Sequence, residues 1–260
     1  GDSLHRQYRF EEAEALFSEA MNLLGNTPQD SILAEMIETR KLLCENGRSM
    51  SSYVYTPKVV ARQKFSIGDF FLHYPMEDKA WRKTPNQLDS VSDGLSHAIY
   101  APEGAETLYF SANDENGARN LYVTHKKDSL WTWPSMLNEY LTSVSDEVYP
   151  VLSSDGKSMY FSSRGLYGVG GFDIYVSEWD EDASDWSEPR NMGFPYSSPY
   201  DDFLYLDAPE EGHSFFASNR ECSRDSIWVY VLEFDNIPVR HSIDDPQELI
   251  EICRLEPESE

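Results

Sequence analysis

Hydrophobic and polar residues alternate most regularly between residues 146 and 186. The first segment of this stretch is interpreted as a strand with one buried face, on which apolar residues recur at every second position: Val148, Pro150 and Leu152. Asp155-Gly156 predicts a tight hairpin turn, because glycine accepts a positive φ without a steric clash. The alternation resumes at Met159, and residues 174–176 predict a third strand rich in β-branched and aromatic residues. The stretch is therefore predicted to form an antiparallel sheet.

The same unit recurs along the chain. Four segments resemble the third strand and begin at steps of 51, 53 and 53 residues: Asp69, Asn120, Asp173 and Ser226. An aspartate announces the first strand of three units: Asp93, Asp146 and Asp201. A tryptophan with a proline close behind follows the third strand of three units: Trp81, Trp133 and Trp186. A fixed period of this length, with several strands per unit, is typical of propeller blades.

These repeats predict a mainly β fold, a small β-propeller of four blades, or five, with an N-terminal α-helical hairpin. The visible period accounts for four blades, and the last three begin near residues 93, 146 and 201. The first, divergent blade is predicted to begin in residues 48–60 and to be completed by Phe70 to Tyr74. A fifth blade is left open in residues 48–66 or 235–254. The segment after Phe234 is a candidate for a strand that closes the ring.

The first 47 residues have a helical pattern instead. Apolar residues at helical spacing predict one helix over residues 4–24. Ser31 or Asp30 is predicted to cap a second helix, which Asn46-Gly47 ends. This pair is either the last part of a longer helical array or a cap packed on the propeller, and we favour packing on the propeller. The predicted domains are residues 1–47, residues 48–243 and, as a short helix (Gln247 to Arg254) with an acidic tail, residues 244–260.

Two sequence runs resemble known repeat families. P-V-L-S-S-D-G-K-S-M-Y-F-S-S-R and the later G-G-F-D-I-Y-V-S, within Pro150 to Ser177, resemble the TolB-type propeller repeat, a Pro-Asp subfamily of WD-like repeats. Trp186 to Pro189 (W-S-E-P) looks like the version found in Bacteroidetes envelope proteins. Phe10 to Ala20 is similar to part of a tetratricopeptide repeat. The TolB-type resemblance covers roughly residues 50 to 240.

This resemblance implies scaffolding or binding without a conserved catalytic set. It implies protein partners in the cell envelope, and glycan or peptidoglycan as a further class of ligand. The implied location is periplasmic or outer-membrane-associated, with a leader already removed. Our leading hypothesis is accordingly a non-catalytic protein-interaction scaffold, and the alternative is a glycan-binding or glycoside-processing propeller.

Charge excludes some partners. The chain has 46 acidic and 21 basic residues, a net charge of −25 at pH 7. Nucleic-acid binding depends on lysine and arginine that neutralise phosphates, so this composition argues against it. No apolar run approaches the roughly 20 residues of a membrane-spanning helix. The three cysteines are more consistent with buried free thiols than with a disulfide scaffold: Cys44, Cys222 and Cys253.

The recurring aspartates are the strongest candidates for catalysis. Propeller glycosidases place carboxylates around a central funnel. However, Asp93, Asp146 and Asp201 occupy one position of the repeat, which predicts a turn or capping role, whereas a catalytic pair needs two different environments. We therefore expect no enzyme activity. The acidic loop Asp180 to Asp185 is a weak candidate for calcium, and no histidine spacing predicts zinc, so no metal or cofactor is predicted.

The polar ends of the second strands are the predicted binding residues. Asn113, Arg164, Asn219 and Arg220 end successive second strands, so a propeller would bring them to one face. Arginine there could hold a carboxylate in a bidentate pair. The competing hypothesis is that these side chains bond to neighbouring blades. Tyr167 and Tyr200, in loops between strands, are predicted to contact a protein or a sugar.

Overall fold

The computed structural model describes residues 1–74, 80–85, 88, 98–208, 212–235 and 237–257. Asp93, which marks one predicted first strand, lies outside the described residues. Among those that are described, no helix is both long enough and apolar enough to cross a membrane.

Four α-helices occur in the described residues, and three of them are N-terminal: α1 Asp2–His5, α2 Phe10–Asn22, α3 Pro28–Met50 and α4 Pro246–Arg254. The predicted helix over residues 4–24 is in fact two helices. Tyr8 has a φ of 58°, a left-handed conformation that interrupts the helical hydrogen bonds between α1 and α2. The predicted C-terminal helix is present and begins one residue earlier than expected.

Helix α3 begins and ends at different residues from those predicted. Thr27 is its N-cap and forms a reciprocal capping box with Asp30. Gly47 does not end the helix but lies inside it. A Cβ at Gly47 would stand 2.6 Å from the Phe10 ring, so the glycine allows α2 and α3 to approach closely. The prediction that Asn46-Gly47 ends this helix is therefore wrong.

The described residues also contain seventeen β-strands. The strands in chain order are β1 Val54–Tyr55, β2 Lys58–Ser66, β3 Trp81–Lys83, β4 Ala98–Tyr100, β5 Thr107–Asn113, β6 Arg119–Lys127, β7 Leu130–Trp131, β8 Ser135–Met136, β9 Glu147–Leu152, β10 Ser158–Ser163, β11 Asp173–Asp180, β12 Asp185–Trp186, β13 Arg190–Asn191, β14 Asp202–Ala208, β15 His213–Ser218, β16 Ser226–Glu233 and β17 Arg240–His241. Two short 3₁₀ helices cover Ser51–Tyr53 and Phe70–His73.

Three antiparallel sheets form the body of the described structure. Sheet A contains β5 to β8, sheet B contains β9 to β13, and sheet C has the order β14-β15-β16-β2. Sheets B and C repeat one another closely: the pairing of their first two strands shifts between Tyr160 and Ser162 in one, and between Phe203 and Leu206 in the other. The mainly β fold with N-terminal helices is thus confirmed, whereas the predicted number of blades is not.

The predicted first blade is wrong. Phe70–His73 is a 3₁₀ helix, and Phe70 and Phe71 are both fully buried. A strand would point these two neighbours to opposite faces, whereas a helical turn lets both reach the core. Strand β2, from the same predicted blade, instead pairs along β16 and completes sheet C. Strands from the two ends of the chain also meet where β1 pairs with β17.

The helices pack directly on the β-structure. One apolar cluster joins residues of α2, α3 and α4 to loop residues of the sheets, among them Phe10, Ile37, Val169, Phe194 and Leu249. The Phe10 and Phe194 rings are stacked with centroids 6.1 Å apart. The Asn46 side chain donates a hydrogen bond to the Gly168 carbonyl at 2.7 Å. The helical pair therefore forms one packed unit with sheets B and C.

Candidate functional site

The repeated aspartates join neighbouring sheets. Asp146, just before β9, accepts a hydrogen bond from the Arg119 backbone N–H of sheet A at 2.9 Å. Asp201, just before β14, accepts one from the Phe172 N–H beside sheet B at 3.1 Å. Each carboxylate thus ties the start of one sheet to the third strand of the preceding sheet. This is the structural role that repetition at equivalent positions predicts.

The polar side chains at the ends of the second strands, which were predicted to form a ring, make contacts with other residues of the protein. Arg164 forms an ion pair with Asp146, and its guanidinium lies 4.9 Å from the Phe172 ring centroid. The Asn219 amide donates to Asp201 at 2.6 Å, and its carbonyl accepts from the Asp201 N–H at 2.9 Å. The Asn113 carbonyl accepts from the Arg119 guanidinium at 3.2 Å. Each of these contacts lies within one sheet, and the role of these side chains in partner binding stays a prediction.

Arg220 is the most enclosed of the predicted residues. Its side chain is 3% exposed and pairs with Asp202 at 2.6 Å. The guanidinium also donates to the Cys253 carbonyl at 2.8 Å and to the Pro195 carbonyl at 2.9 Å. Arg220 therefore ties sheet C to the C-terminal helix α4.

A buried acid that was not predicted from the sequence lies one position after two of the repeated aspartates, Asp146 and Asp201. Glu147 accepts hydrogen bonds from the Ser143 and Ser163 hydroxyls, both at 2.7 Å, and burial raises the pKa of its carboxyl. Asp202 takes the equivalent place in sheet C and accepts from the Ser198 hydroxyl at 2.7 Å. The signal was available in the repeat, since a serine lies four residues before each acid.

The two predicted tyrosines lie in different places. Tyr200 is half-buried, and the Arg6 guanidinium carbon stands 5.9 Å from its ring centroid. Tyr167 lies in the loop between β10 and β11 with 52% of its surface exposed. The structure therefore does not bring Tyr167 and Tyr200 into one site with the polar strand ends.

Tyr167 instead lines a cleft together with two tyrosines that were not predicted as binding residues. Tyr53 follows α3 and is 59% exposed, and Tyr140 lies in the loop after β8 and is 52% exposed. All three line one open cleft of about 550 Å³ between the end of α3 and sheets A and B. We call it the tyrosine cleft, defined by Tyr53, Tyr140 and Tyr167. Tyrosine rings usually pack in a core or at an interface. Three exposed tyrosines in one cleft therefore mark this surface as the candidate site.

Backbone contacts fix the walls of the tyrosine cleft. The Tyr167 carbonyl accepts hydrogen bonds from the Tyr175 hydroxyl at 2.7 Å and from the Asn191 amide at 3.1 Å. Burial raises the pKa of Tyr175 well above its ordinary value, so its hydroxyl keeps the proton that it donates. On the opposite wall, the Asn138 side chain accepts from the Tyr140 N–H at 3.1 Å. The exposed rings thus stand on an anchored backbone.

Charged groups of both signs line the same cleft: Glu139, Glu188, Arg190 and Arg240. None of these four forms a salt bridge with any other residue that the structure describes. The Arg240 guanidinium lies 4.9 Å from the centroid of the Tyr55 ring, beside the cleft. The cleft therefore offers two carboxylates, two guanidinium groups and the Asn191 amide beside three exposed aromatic rings.

Metal binding finds no support in the part of the chain that is described, where no group of three or more histidine, cysteine or acidic side chains could hold an ion. In the acidic loop, the Asp180 carboxylate accepts from the backbone N–H groups of Asp182 and Ala183, at 2.9 and 3.0 Å. This is an ordinary turn contact. All three cysteines are free thiols, with Cys44 and Cys253 buried.

Comparison with known proteins gives little similarity. No family model matches the chain, so the TolB-type resemblance has no family match behind it. No curated protein matches it either. One solved structure that it resembles is described as a thermostable family-43 glycoside hydrolase, with 16% sequence identity over 74% of this chain and 73% of that one, and a TM-score of 0.36.

One expectation is corrected by this comparison. The sequence pattern predicted a protein without enzyme activity, whereas the similar solved structure is that of an enzyme. We therefore withdraw the prediction that catalysis is absent. At a TM-score of 0.36 the likeness assigns neither an activity nor a substrate to this chain.

Proposed function

We propose that this chain binds an oligosaccharide in the tyrosine cleft, as a glycan-binding or glycoside-processing protein. The observation that carries the proposal is the meeting of Tyr53, Tyr140 and Tyr167, all more than half exposed, in one cleft of about 550 Å³. That volume falls within the range of about 300–1,000 Å³ that is usual for small-molecule sites.

The chemistry of the cleft suits a sugar. A pyranose ring has apolar faces of C–H groups, which pack against aromatic rings whose π faces carry partial negative charge. Its hydroxyl groups both donate and accept hydrogen bonds. Glu139 and Glu188 can accept from them, Arg190 and Arg240 can donate to them, and the Asn191 amide can do either. Aromatic rings alternating with polar groups match this mixed surface better than they match a purely apolar ligand.

The two carboxylates also support a test for cleavage. Glycoside hydrolases use a pair of carboxyl groups, about 5 Å apart when configuration is retained and about 6.5–9.5 Å apart when it is inverted. Glu139 and Glu188 are the two glutamates in the cleft. If the chain processes its glycan, Glu139→Gln and Glu188→Gln should each abolish release of reducing sugar while the sugar is still bound.

Calorimetric titration with a panel of oligosaccharides, including peptidoglycan fragments, tests the proposal. We expect Tyr140→Ala and Tyr167→Ala to weaken sugar binding about ten-fold or more, because central aromatic contacts carry much of the binding energy. Trp133→Ala is the matched control, since Trp133 is 94% exposed and does not line the cleft. Binding to no sugar, or equal loss in the Trp133 variant, would refute the proposal.

The proposal extends to location. The resemblance of residues 150–177 to TolB-type repeats supports a place in the bacterial cell envelope, where peptidoglycan and surface glycans are available. Fractionation of cells that express the tagged native protein tests this part separately. Recovery with the cytosol would refute the location without affecting the sugar-binding test.

A further inference from the structure

A second pocket lies where residues 6–8 and helix α4 meet sheet C. It has a volume of about 360 Å³, and Arg6 after α1, Arg254 at the end of α4 and Arg220 after β15 line it together with Tyr200. We call it the arginine pocket. Because Arg220 is bonded to the Cys253 carbonyl, the positions of α4 and sheet C are fixed relative to each other here.

The arginines of this pocket differ in whether a carboxylate forms a salt bridge with them. Arg220 is neutralised by the buried carboxylate of Asp202. Arg6 and Arg254, by contrast, form no salt bridge with any residue in the described ranges. The chain has 46 acidic residues for 21 basic ones, so a cation has many potential partners. The pocket thus brings together two guanidinium groups, from Arg6 and Arg254, that no salt bridge in the described part of the chain neutralises.

Other roles do not account for both arginines. The helix dipole favours a basic residue in the last turn of α4, which explains the presence of Arg254 near that end. It does not explain why Arg6, from the opposite end of the chain, lines the same cavity. Arg6 lies over the Tyr200 ring, an arrangement that holds its guanidinium at the cavity wall. Glu221 is the one carboxylate among the described lining residues.

We propose that the arginine pocket binds a small oxyanion, a carboxylate or a phosphate, between Arg6 and Arg254. The planar guanidinium fork matches both groups, since two parallel N–H groups meet two oxygens. Gln7 and Gln247 add side-chain amides that can donate to the remaining oxygens. The bound anion would join α1 to α4 and so clamp both ends of the chain on sheet C.

Calorimetric titration with inorganic phosphate and with glutarate, at constant ionic strength, tests this site. Chloride at matched ionic strength is needed as the reference, because salt alone screens the repulsion within so acidic a chain. We expect Arg6→Gln and Arg254→Gln each to weaken anion binding about ten-fold, the effect of losing one charged hydrogen bond. The matched control is Arg224→Gln, an exposed arginine that does not line the pocket.

Every result of these titrations either supports or overturns anion binding in the arginine pocket. Binding of phosphate alone or of glutarate alone supports the site and identifies the group it prefers. No binding of either anion up to about 10 mM, or equal weakening by Arg224→Gln, overturns the proposal. Arg6→Lys and Arg254→Lys keep the charge without the fork and should retain part of the affinity, which separates anion binding from a folding defect. The pocket is separate from the tyrosine cleft, so neither test depends on the other.

Discussion

At the scale of single residues, the Arg220–Asp202 ion pair is enclosed on both sides by the protein. Both side chains are almost fully enclosed, at 3% and 0% exposure. We expect Arg220→Met to lower the free energy of unfolding by about 3–5 kcal/mol, because Asp202 is left as a buried charge without its cationic partner. Urea denaturation measures this loss.

The matched control is Arg164→Gln, at the equivalent end of the preceding sheet. Arg164 also pairs with an aspartate, but its side chain is 46% exposed. Water screens that pair, so the loss should stay within about 1 kcal/mol. Equal losses in the two variants would contradict the assignment of Arg220 as a buried structural cation.

Two buried groups beside the loop of residues 168–171 predict a pH dependence. Burial raises the pKa of Asp173 from 3.8 to about 8, although the Val169 and Gly170 N–H groups donate to its carboxylate. Burial and the nearby Arg40 charge lower the pKa of His5 from 6.5 to about 4. Between pH 4 and 6.5, folding releases a proton from His5 and takes one up on Asp173, so the two effects oppose each other.

Above pH 6.5, only Asp173 of these two groups still makes the stability depend on pH. The folded protein then holds a proton that the unfolded chain has lost, so stability falls as pH rises toward 8. At about 1.4 kcal/mol per pH unit, the decrease is at most about 2 kcal/mol. Asp173→Asn keeps an acceptor for both N–H groups and should remove the decrease, as seen in urea midpoints at pH 6.5 and 8. An unchanged pH slope in this variant would contradict the prediction.

The sequence could predict only part of the candidate site. Tyr167 was identifiable because it lies in a polar loop of the clearest repeat. Tyr53 and Tyr140 precede it by 114 and 27 residues and belong to other elements, so no local pattern links them. Only the folded structure brings the end of α3 beside the loops that carry Tyr140 and Tyr167, so that these three rings line one cleft.

At the scale of elements, the start of α3 depends on its capping box. The Thr27 hydroxyl accepts from the Asp30 N–H at 3.2 Å, and Asp30 accepts from the Thr27 N–H at 3.0 Å. We expect Thr27→Ala to lower the free energy of unfolding by about 1 kcal/mol, because the helix loses a side-chain cap. Thr27→Ser keeps the hydroxyl and should be close to neutral in the same thermal or urea denaturation. A large loss in the serine variant would point to packing of the Thr27 methyl group instead.

Elements within the repeat were predictable, and elements at its margins were not. Strands β10 and β11 form where the repeat predicts them, although β11 is buried on both faces from Asp173 to Ser177. Phe70–His73 matched the third-strand pattern by residue type but folds as a helical turn, since both phenylalanines reach the core. Gly47 was read as a stop because a glycine that permits a close contact and a glycine that ends a helix look the same in sequence.

At the scale of the whole molecule, the two ends of the chain complete the fold. Strand β2 belongs to the N-terminal part of the chain yet forms the outer strand of sheet C beside β16. This partnership was not predictable from the repeat, because a closing strand lies far in sequence from the sheet that it joins. The strand predicted after Phe234 is present as β17, which pairs with β1 in a separate two-stranded sheet. Its role in closing a ring stays a prediction.

Hydrogen exchange tests whether β2 is an integral strand of sheet C. If β2 is an integral strand of sheet C, its hydrogen-bonded amides should open only with β16 and exchange as slowly as the amides of β16. The internal control is β7, Leu130–Trp131, a two-residue strand whose residues are both exposed, which should exchange much faster. Protection of β2 at the level of β7 would mean that the strand frays independently. Sheet C would then be a stable three-stranded unit, and the N-terminal helices would be held by their own apolar contacts rather than by closure through β2.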